Sequence, residues 1–266
     1  MIDIHNHILY GVDDGAQSEN DTLDMARQAV SEGITDIIAT PHHKIQVYEN
    51  FGPKVIDLTE KVNQLLTEHN IPLKVHASQE IRIYGDVITD LKSGKALPLA
   101  GQYVLIEFPS NEVPIYTEQL FTQLAMEGYV PIIAHPERNT ELQKNPKKLA
   151  ELIELGALAQ VTAGVVVGNL GHHAQSVAEL MIEHQLIHFV ASDAHNVNNR
   201  NFHMKAAYET IESKFGVDVA SRFQENVQKV LNGEKIPYLS PKEIVKSDRT
   251  SKRKEKKKKK KFLGLF

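Results

Sequence analysis

The 266-residue chain predicts an α/β fold, a distorted seven-stranded (β/α) barrel, on three observations. Short apolar, β-rich runs alternate with longer stretches of helical periodicity almost to the end of the chain. Several helical stretches stop at a glycine (Gly33, Gly128, Gly156), the usual residue after a helix C-terminus. Strand after strand is followed by an ionisable side chain. In a closed barrel the C-terminal strand ends form one rim, where active sites gather. An open parallel sheet satisfies the alternation equally well but would spread those side chains along an edge.

In chain order, the strand predicted over 2–5 runs into "HNH". Side chains two apart on an extended chain share a face, so His5 and His7 project toward one point. Such a pair alone is common on protein surfaces. A helix over 19–32 leads to a strand over 35–39 and "ATPHH", which supplies His42. A helix over 54–69 leads to a strand over 73–78 and "SQE", which supplies Glu80. The strand over 103–107 ends in Glu107, and after the helix over 116–127 the strand over 130–134 ends in His135. A helix over 145–155, a strand over 157–162 and a helix over 173–184 precede the last strand, 187–191, and "SDAHN" with Asp193 and His195. Helices over 201–215 and 218–232 complete a domain spanning 1–240, and residues 241–266 form a basic tail expected to be disordered.

Composition narrows the chemistry. There is no cysteine, which removes disulfides, thiolate metal sites and every cysteine nucleophile. The net charge of −4 conceals an asymmetry: from Lys246 onward there are 11 Lys or Arg and two acids, leaving 19 bases (30 less 11) and 32 acids (34 less two) in the body. An acidic body is a poor nucleic-acid surface. No apolar run reaches the roughly 18 residues of a spanning helix, and the first residues lack signal-peptide character, so a cytoplasmic location is expected. The tail ends "KKKKKKFLGLF", lysines followed by four apolar side chains. That pattern predicts peripheral contact with the inner face of the membrane; a solubilising extension or RNA attraction are the competing readings.

Each strand-end residue has a bland reading, since a histidine after an apolar strand is usually a hydrogen-bonded loop residue. The accumulation is what changes the reading. So many imidazoles and carboxylates in one place are costly to bury unless positive charge neutralises them. Metal ions supply it. Imidazole and carboxylate donors without sulfur suit Mn²⁺, with Fe and Zn²⁺ as alternatives, over Ca²⁺. The ligand number calls for two or three ions about 3.5–4 Å apart. "GHHAQ" looks like a second pair, but it opens a helix, where neighbouring side chains diverge by about 100°. It and the other histidines (His43, His69, His76, His172, His173, His184, His188, His203) are expected to be structural or superficial. Arg138 and Arg200 lie on rim loops three and five residues after ligand histidines. Guanidinium forks bind phosphate in bidentate fashion, and a salt bridge with an acid such as Glu137 is the competing role.

"DIHNHILYGVDDG", "ATPHH", "QEIRI", "IEFP", "AHPERN" and "ASDAHN" occur in that order. Together they resemble the PHP (polymerase and histidinol phosphatase) superfamily, and within it the CpsB/CapC-type tyrosine-protein phosphatases of capsule and exopolysaccharide operons. The resemblance runs from Met1 to about Pro237. It implies a PHP-type barrel and a trinuclear site. His5, His7, Glu80 and Asp193 would hold one ion, Glu80, Glu107 and His135 a second, and Asp14, His42 and His195 the third. Asp13 is the competitor to Asp14, and the family pattern favours Asp14. The resemblance further implies hydrolysis of phosphotyrosine on a bacterial tyrosine kinase of polysaccharide export, with Arg138 and Arg200 as catalytic phosphate ligands. A small-molecule phosphoesterase such as a histidinol-phosphate phosphatase, and a non-catalytic metal-stabilised kinase adaptor, stay open as alternatives. The oligomeric state is not legible in the sequence.

Overall fold

The computed structural model describes residues 1–244. The chain begins with β1 (Ile2–Asp3) and α1 (Glu19–Ser31), continues through β2 (Asp36–Ala39), β3 (His42–His43) and α2 (Gly52–Glu68), and then β4 (Lys74–Ala77), β5 (Glu80–Arg82) and α3 (Val87–Ser93). Next come β6 (Tyr103–Glu107), α4 (Thr117–Met126), β7 (Val130–Ala134), α5 (Thr140–Lys144) and α6 (Pro146–Glu154). The remainder is β8 (Leu158–Thr162), α7 (Ala163–Val166), α8 (His172–Glu183), β9 (Phe189–Ala191), α9 (Met204–Phe215) and α10 (Val217–Leu231). Local chemistry sets several boundaries. Ser18 caps α1 by accepting from Asp21 N while Asp21 accepts from Ser18 N, a reciprocal pair that satisfies two free amides. Pro146 opens α6 where a missing N–H costs nothing.

Every strand pairing is parallel, as crossover helices require, but the strands divide into two sheets rather than one closed sheet of seven. The orders are β1-β2-β4 and β3-β5-β6-β7-β8-β9. Beyond two of the expected strands, 35–39 and 73–78, pairing breaks off at Pro41 and at Ser78–Gln79 and resumes in the further short strands β3 and β5. Proline has no N–H for the ladder, and its carbonyl instead accepts from Glu80 N at 3.1 Å. The broken strands stay side by side through this bond and through Ser78 N donating to Ala39 O at 3.0 Å. Beyond β1, Asn6 forms an isolated parallel bridge with Ala194, which lays the start of the chain beside the strand that follows α8.

Alternate residues sort to two faces, as a pleated strand dictates. Ile4, Ile38, Leu105, Ile132 and Phe189, contributed by both sheets, pack into one buried cluster with Val227 and Val230 of α10. Their neighbours Ile37, Val104, Ile106, Ile133, Val161 and Val190 belong to a second cluster with the surrounding helices. No helix among the described residues is long and apolar enough to cross a membrane. The expected boundary at 240/241 falls inside packed chain: Lys242 N donates to His184 O at 2.9 Å, and Ile244 is buried. The lysine run and "FLGLF", with the membrane contact expected of them, lie outside the described residues.

Candidate metal centre

The strand ends bring all nine expected ligands to one place. His5 and His7 extend from β1, His42 stands on β3 in register with Glu80 at the start of β5, Glu107 ends β6, His135 follows β7, and Asp193 and His195 follow β9. His135 (φ +32°) and Asp193 (φ +53°) occupy the left-handed region, unusual for side chains other than glycine and often found where a site holds its backbone under strain. Arg138 N donating to His135 O (2.9 Å) and Asp193 N donating to His5 O (2.8 Å) hold them there. The "GVDDG" loop closes over the pair at the N-terminus. A Cβ on Gly15 would stand 2.2 Å from His7 O, so only glycine lets the loop approach so closely.

Four overlapping clusters each have ligand atoms within 4.8 Å of one another: His7, Asp14, His42 and His195; His5, His7 and Asp193; His5, Glu80 and His135; His42, Glu80 and Glu107. Against the grouping implied by the resemblance, Asp14, His42 and His195 fall together with His7, Glu80 leaves the His5–His7–Asp193 group, and Glu80 meets His135 and Glu107 in two separate clusters. His5, His7, Glu80, Asp193 and His195 are buried; Asp14 is exposed on the rim. The Nε2 atoms of His5, His7 and His195 are buried with no hydrogen-bond partner. They stand 3.4–3.6 Å from carboxylate oxygens of Glu80, Asp193 and Asp14. Donors around one tetrahedral ion at roughly 2.1 Å are about 3.4 Å apart. Unpartnered lone-pair atoms, a sulfur-free donor set and this spacing all fit divalent ions.

The back of each ring is held. His7 Nδ1 donates to Asp13 Oδ2 at 2.7 Å, His195 Nδ1 donates to the Asp193 carbonyl at 2.9 Å, and His5 Nδ1 lies 2.9 Å from Gln160 Oε1. A proton fixed on Nδ1 leaves Nε2 free to coordinate. Sequence reasoning missed these supports. Asp13, weighed in the sequence as the competitor to Asp14, accepts from His7 Nδ1 and also from His42 N (2.8 Å) and Gly15 N (2.9 Å). Gln160 had a visible signal, a polar residue within the apolar run 157–162. Asp3 had none; it ties β1 to β9 by accepting from Ser192 N at 2.9 Å and Ser192 Oγ at 2.5 Å, and burial pushes its carboxyl up to about 6.

Electrostatics record the crowding. Burial alone would discharge these imidazoles, yet Asp13 and Asp193 hold His7 at about 9, and Glu80 with Asp14 holds His42 at about 11. His5 is likewise raised against its burial by Glu80 and Asp193. His195 goes the other way, to about 4, because burial and the neighbouring His7 charge outweigh its acids. Burial opposes ionisation of Glu80 and Asp193, but the surrounding imidazoles hold both well below the ordinary carboxylate range. Without metal, protons on His5, His7 and His42 neutralise the carboxylates that cations would otherwise balance.

Arg138 and Arg200 both reach the rim, and both bind Asp193 rather than Glu137. Arg138 pairs with Asp193 Oδ2, and Arg200 contacts the same oxygen at 3.1 Å and Asp14 at 3.5 Å. Glu137 is buried, accepting from Thr162 N at 3.0 Å. None of the eight remaining histidines joins a candidate cluster among the described residues. His43 packs edge-on against Phe51 and Tyr84, and His76 pairs with Asp36 at 3.0 Å. His172 and His173 open α8, as their spacing predicts.

A parallel α/β domain with a multi-histidine, multi-carboxylate centre at its strand ends defines a metal-binding protein of the hydrolase type. The family model described as "Capsular polysaccharide synthesis, CpsB/CapC" matches residues 1–232, and the chain belongs to that family. It is 46% identical to the tyrosine-protein phosphatase YwqE of Bacillus subtilis over 247 residues, covering 92% of this chain and 97% of YwqE. It is 30% identical to the tyrosine-protein phosphatase CpsB of Streptococcus pneumoniae, covering 87% of this chain and 98% of that one. A crystal structure from work on YwqE and CpsB, described as unique metal-dependent tyrosine phosphatases, superposes with a TM-score of 0.90 at 45% identity, over 92% of this chain and all of the other.

Proposed function

We propose that this chain is a metal-dependent, cysteine-independent tyrosine-protein phosphatase acting in capsular or exopolysaccharide synthesis. Its substrate on this reading is phosphotyrosine on a bacterial tyrosine kinase of polysaccharide export. The observation that carries the proposal is the set of buried, unpartnered Nε2 atoms of His5, His7 and His195 facing Glu80, Asp193 and Asp14. Close relatives named as tyrosine phosphatases, matched over nearly their whole length, support it.

His5, His7, Asp14, His42, Glu80, Glu107, His135, Asp193 and His195 are the proposed ligands of two or three ions, Mn²⁺ before Fe or Zn²⁺. Bound divalent ions supply an activated water near neutral pH and a counter-charge for phosphoryl oxygens. The chain's own groups do the rest. Buried carboxylates and rings exclude bulk water from the floor, and Arg138 and Arg200 offer guanidinium donors to the phosphate at the rim. Tyrosinate, with a pKa near 10, departs with little help from a proton donor. The two sheets are read as one distorted seven-stranded barrel. The Asn6–Ala194 bridge and the shared inner cluster of Ile4, Ile38, Leu105, Ile132 and Phe189 support that reading.

The test is phosphate release from a tyrosine-phosphorylated kinase tail. EDTA should abolish release, Mn²⁺ should restore it, and iodoacetamide should have no effect. Activity that survives full metal removal, or hydrolysis of histidinol phosphate in strong preference to the phosphopeptide, would overturn the proposal.

A further inference from the structure

A short hairpin stands beside the centre and takes no part in ligation. Lys44 and Tyr48 pair across it, Lys44 N donating to Tyr48 O at 2.9 Å and Tyr48 N to Lys44 O at 2.8 Å. Three residues turn between them, with Gln46 at φ +67°. The hairpin's base is fixed. Asn50, buried, donates from Nδ2 to Val12 O (2.9 Å) and His42 O (2.8 Å), which ties the hairpin to the Asp13–Asp14 loop and to β3. Its tip is bare: Ile45 is 40% and Val47 57% exposed. Between base and tip, the half-buried Tyr48 ring lies nearly parallel to His42, with centroids 5.7 Å apart and planes 13° from parallel.

Rings therefore run outward in sequence, from His195 to His7 (3.8 Å), His7 to His42 (4.6 Å) and His42 to Tyr48. The two arginines reach the same rim through Asp193 and Asp14. Arg200 and His42 meet at Asp14 (3.5 and 3.3 Å), so the guanidinium groups and the aromatic and aliphatic hairpin flank one cluster, and no catalytic step of phosphate release needs such a wall. A simple alkyl phosphate has no ring to place against it. An aryl phosphate does, because its ring continues outward from the phosphoryl group.

We infer that Tyr48 is a specificity-determining residue, stacking the aryl group of the substrate, and that Ile45 and Val47 receive apolar side chains flanking it in a peptide. The inference rests on the phosphatase reading above. A stacked ring pair contributes about a tenfold preference, so Tyr48 sorts aryl from alkyl phosphomonoesters while the metals and arginines bind the phosphate of either.

The test uses the metal-loaded enzyme and two phosphonates that are not hydrolysed. By calorimetry the wild type should bind phenylphosphonate more tightly than methylphosphonate. Tyr48→Ala should lose about tenfold toward phenylphosphonate and nothing toward methylphosphonate, with metal content unchanged; Tyr48→Phe should behave as wild type. The double variant Ile45→Ser, Val47→Ser should raise KM for a phosphotyrosine peptide but not for p-nitrophenyl phosphate. An equal loss toward both phosphonates in Tyr48→Ala, or in Tyr48→Leu, which keeps bulk over His42, would reduce Tyr48 to a support for that ring and overturn the inference. So would no loss toward either. Failure of the wild type to hydrolyse p-nitrophenyl phosphate would count against the phosphatase reading instead.

Discussion

Asp13→Asn removes one charge and changes no volume, and its consequence follows from three hydrogen bonds. Oδ2 of Asp13 accepts from both His7 Nδ1 (2.7 Å) and His42 N (2.8 Å), and Oδ1 accepts from Gly15 N (2.9 Å). A carboxylate can face three donors; an amide cannot. Whichever way the substituted amide turned, its NH₂ would meet at least one N–H, leaving a buried donor unmatched. With the amide oxygen toward His7 and His42, Gly15 N is left unmatched and His7 keeps only a weaker, uncharged acceptor; turned the other way, the NH₂ faces His42 N and forces the His7 proton from Nδ1 to Nε2, the atom that faces Glu80 and Asp193. Either way coordination by His7 suffers. A charge-assisted hydrogen bond of this kind is worth about 1.5–3 kcal/mol, and outer-sphere changes typically cost ten- to a hundredfold in metal affinity, which agree at 1.4 kcal/mol per decade. The expected outcome is a Mn²⁺ affinity about ten- to a hundredfold weaker, measured by titrating the metal-free protein and following free Mn²⁺ by electron paramagnetic resonance, with activity recovered at high Mn²⁺. An Asp13→Asn protein that folds and binds Mn²⁺ as tightly as wild type would refute the orienting role.

Metal loading should release protons. His7 (about 9) and His42 (about 11) carry protons at pH 7 and must lose them to coordinate, whereas His195 (about 4) is already neutral. Affinity should therefore strengthen as pH rises from 6 to 9, and a pH-stat should record about two protons or more per loaded chain; none released would contradict the assignment of these two histidines. Arg138→Ala and Arg200→Ala should each lower kcat/KM about ten- to a hundredfold with metal content intact. Loss of metal in either variant would mean that its work is to steady Asp193, which both arginines already touch.

The candidate ligands could be picked out because two periodicities coincide. Strand runs end where ionisable residues begin, and the i, i+2 spacing of His5 with His7 and of Asp193 with His195 survives folding as convergence. The strand breaks were not legible. Pro41 reads as a strand terminator, yet the backbone continues beyond it to deliver His42. Spacing alone does not separate Asp13 from Asp14, because adjacent residues on a tight loop face opposite ways; the fold turns Asp13 inward to His7, His42 N and Gly15 N and leaves Asp14 exposed. The acid weighed as a competing partner for the arginines, Glu137, is not the one they meet. Glu137 is next to Arg138 in sequence, but the turn over Pro136–Arg138 sends its side chain toward Thr162 while the guanidinium reaches Asp193. Beyond the expected boundary, Ile244 packs against apolar neighbours that lie far from it in sequence, a contact no local pattern announces.

The bridge between Asn6 and Ala194 has a consequence for biosynthesis. His5 and His7 are synthesised long before Asp193 and His195, and must wait for the intervening chain before those partners arrive. Contacts of such sequence separation form late and slowly. Until then the emerging segment offers a metal only a two-imidazole clip. The full donor set, and with it any discrimination among ions by geometry, exists only once both sides of that bridge have been made.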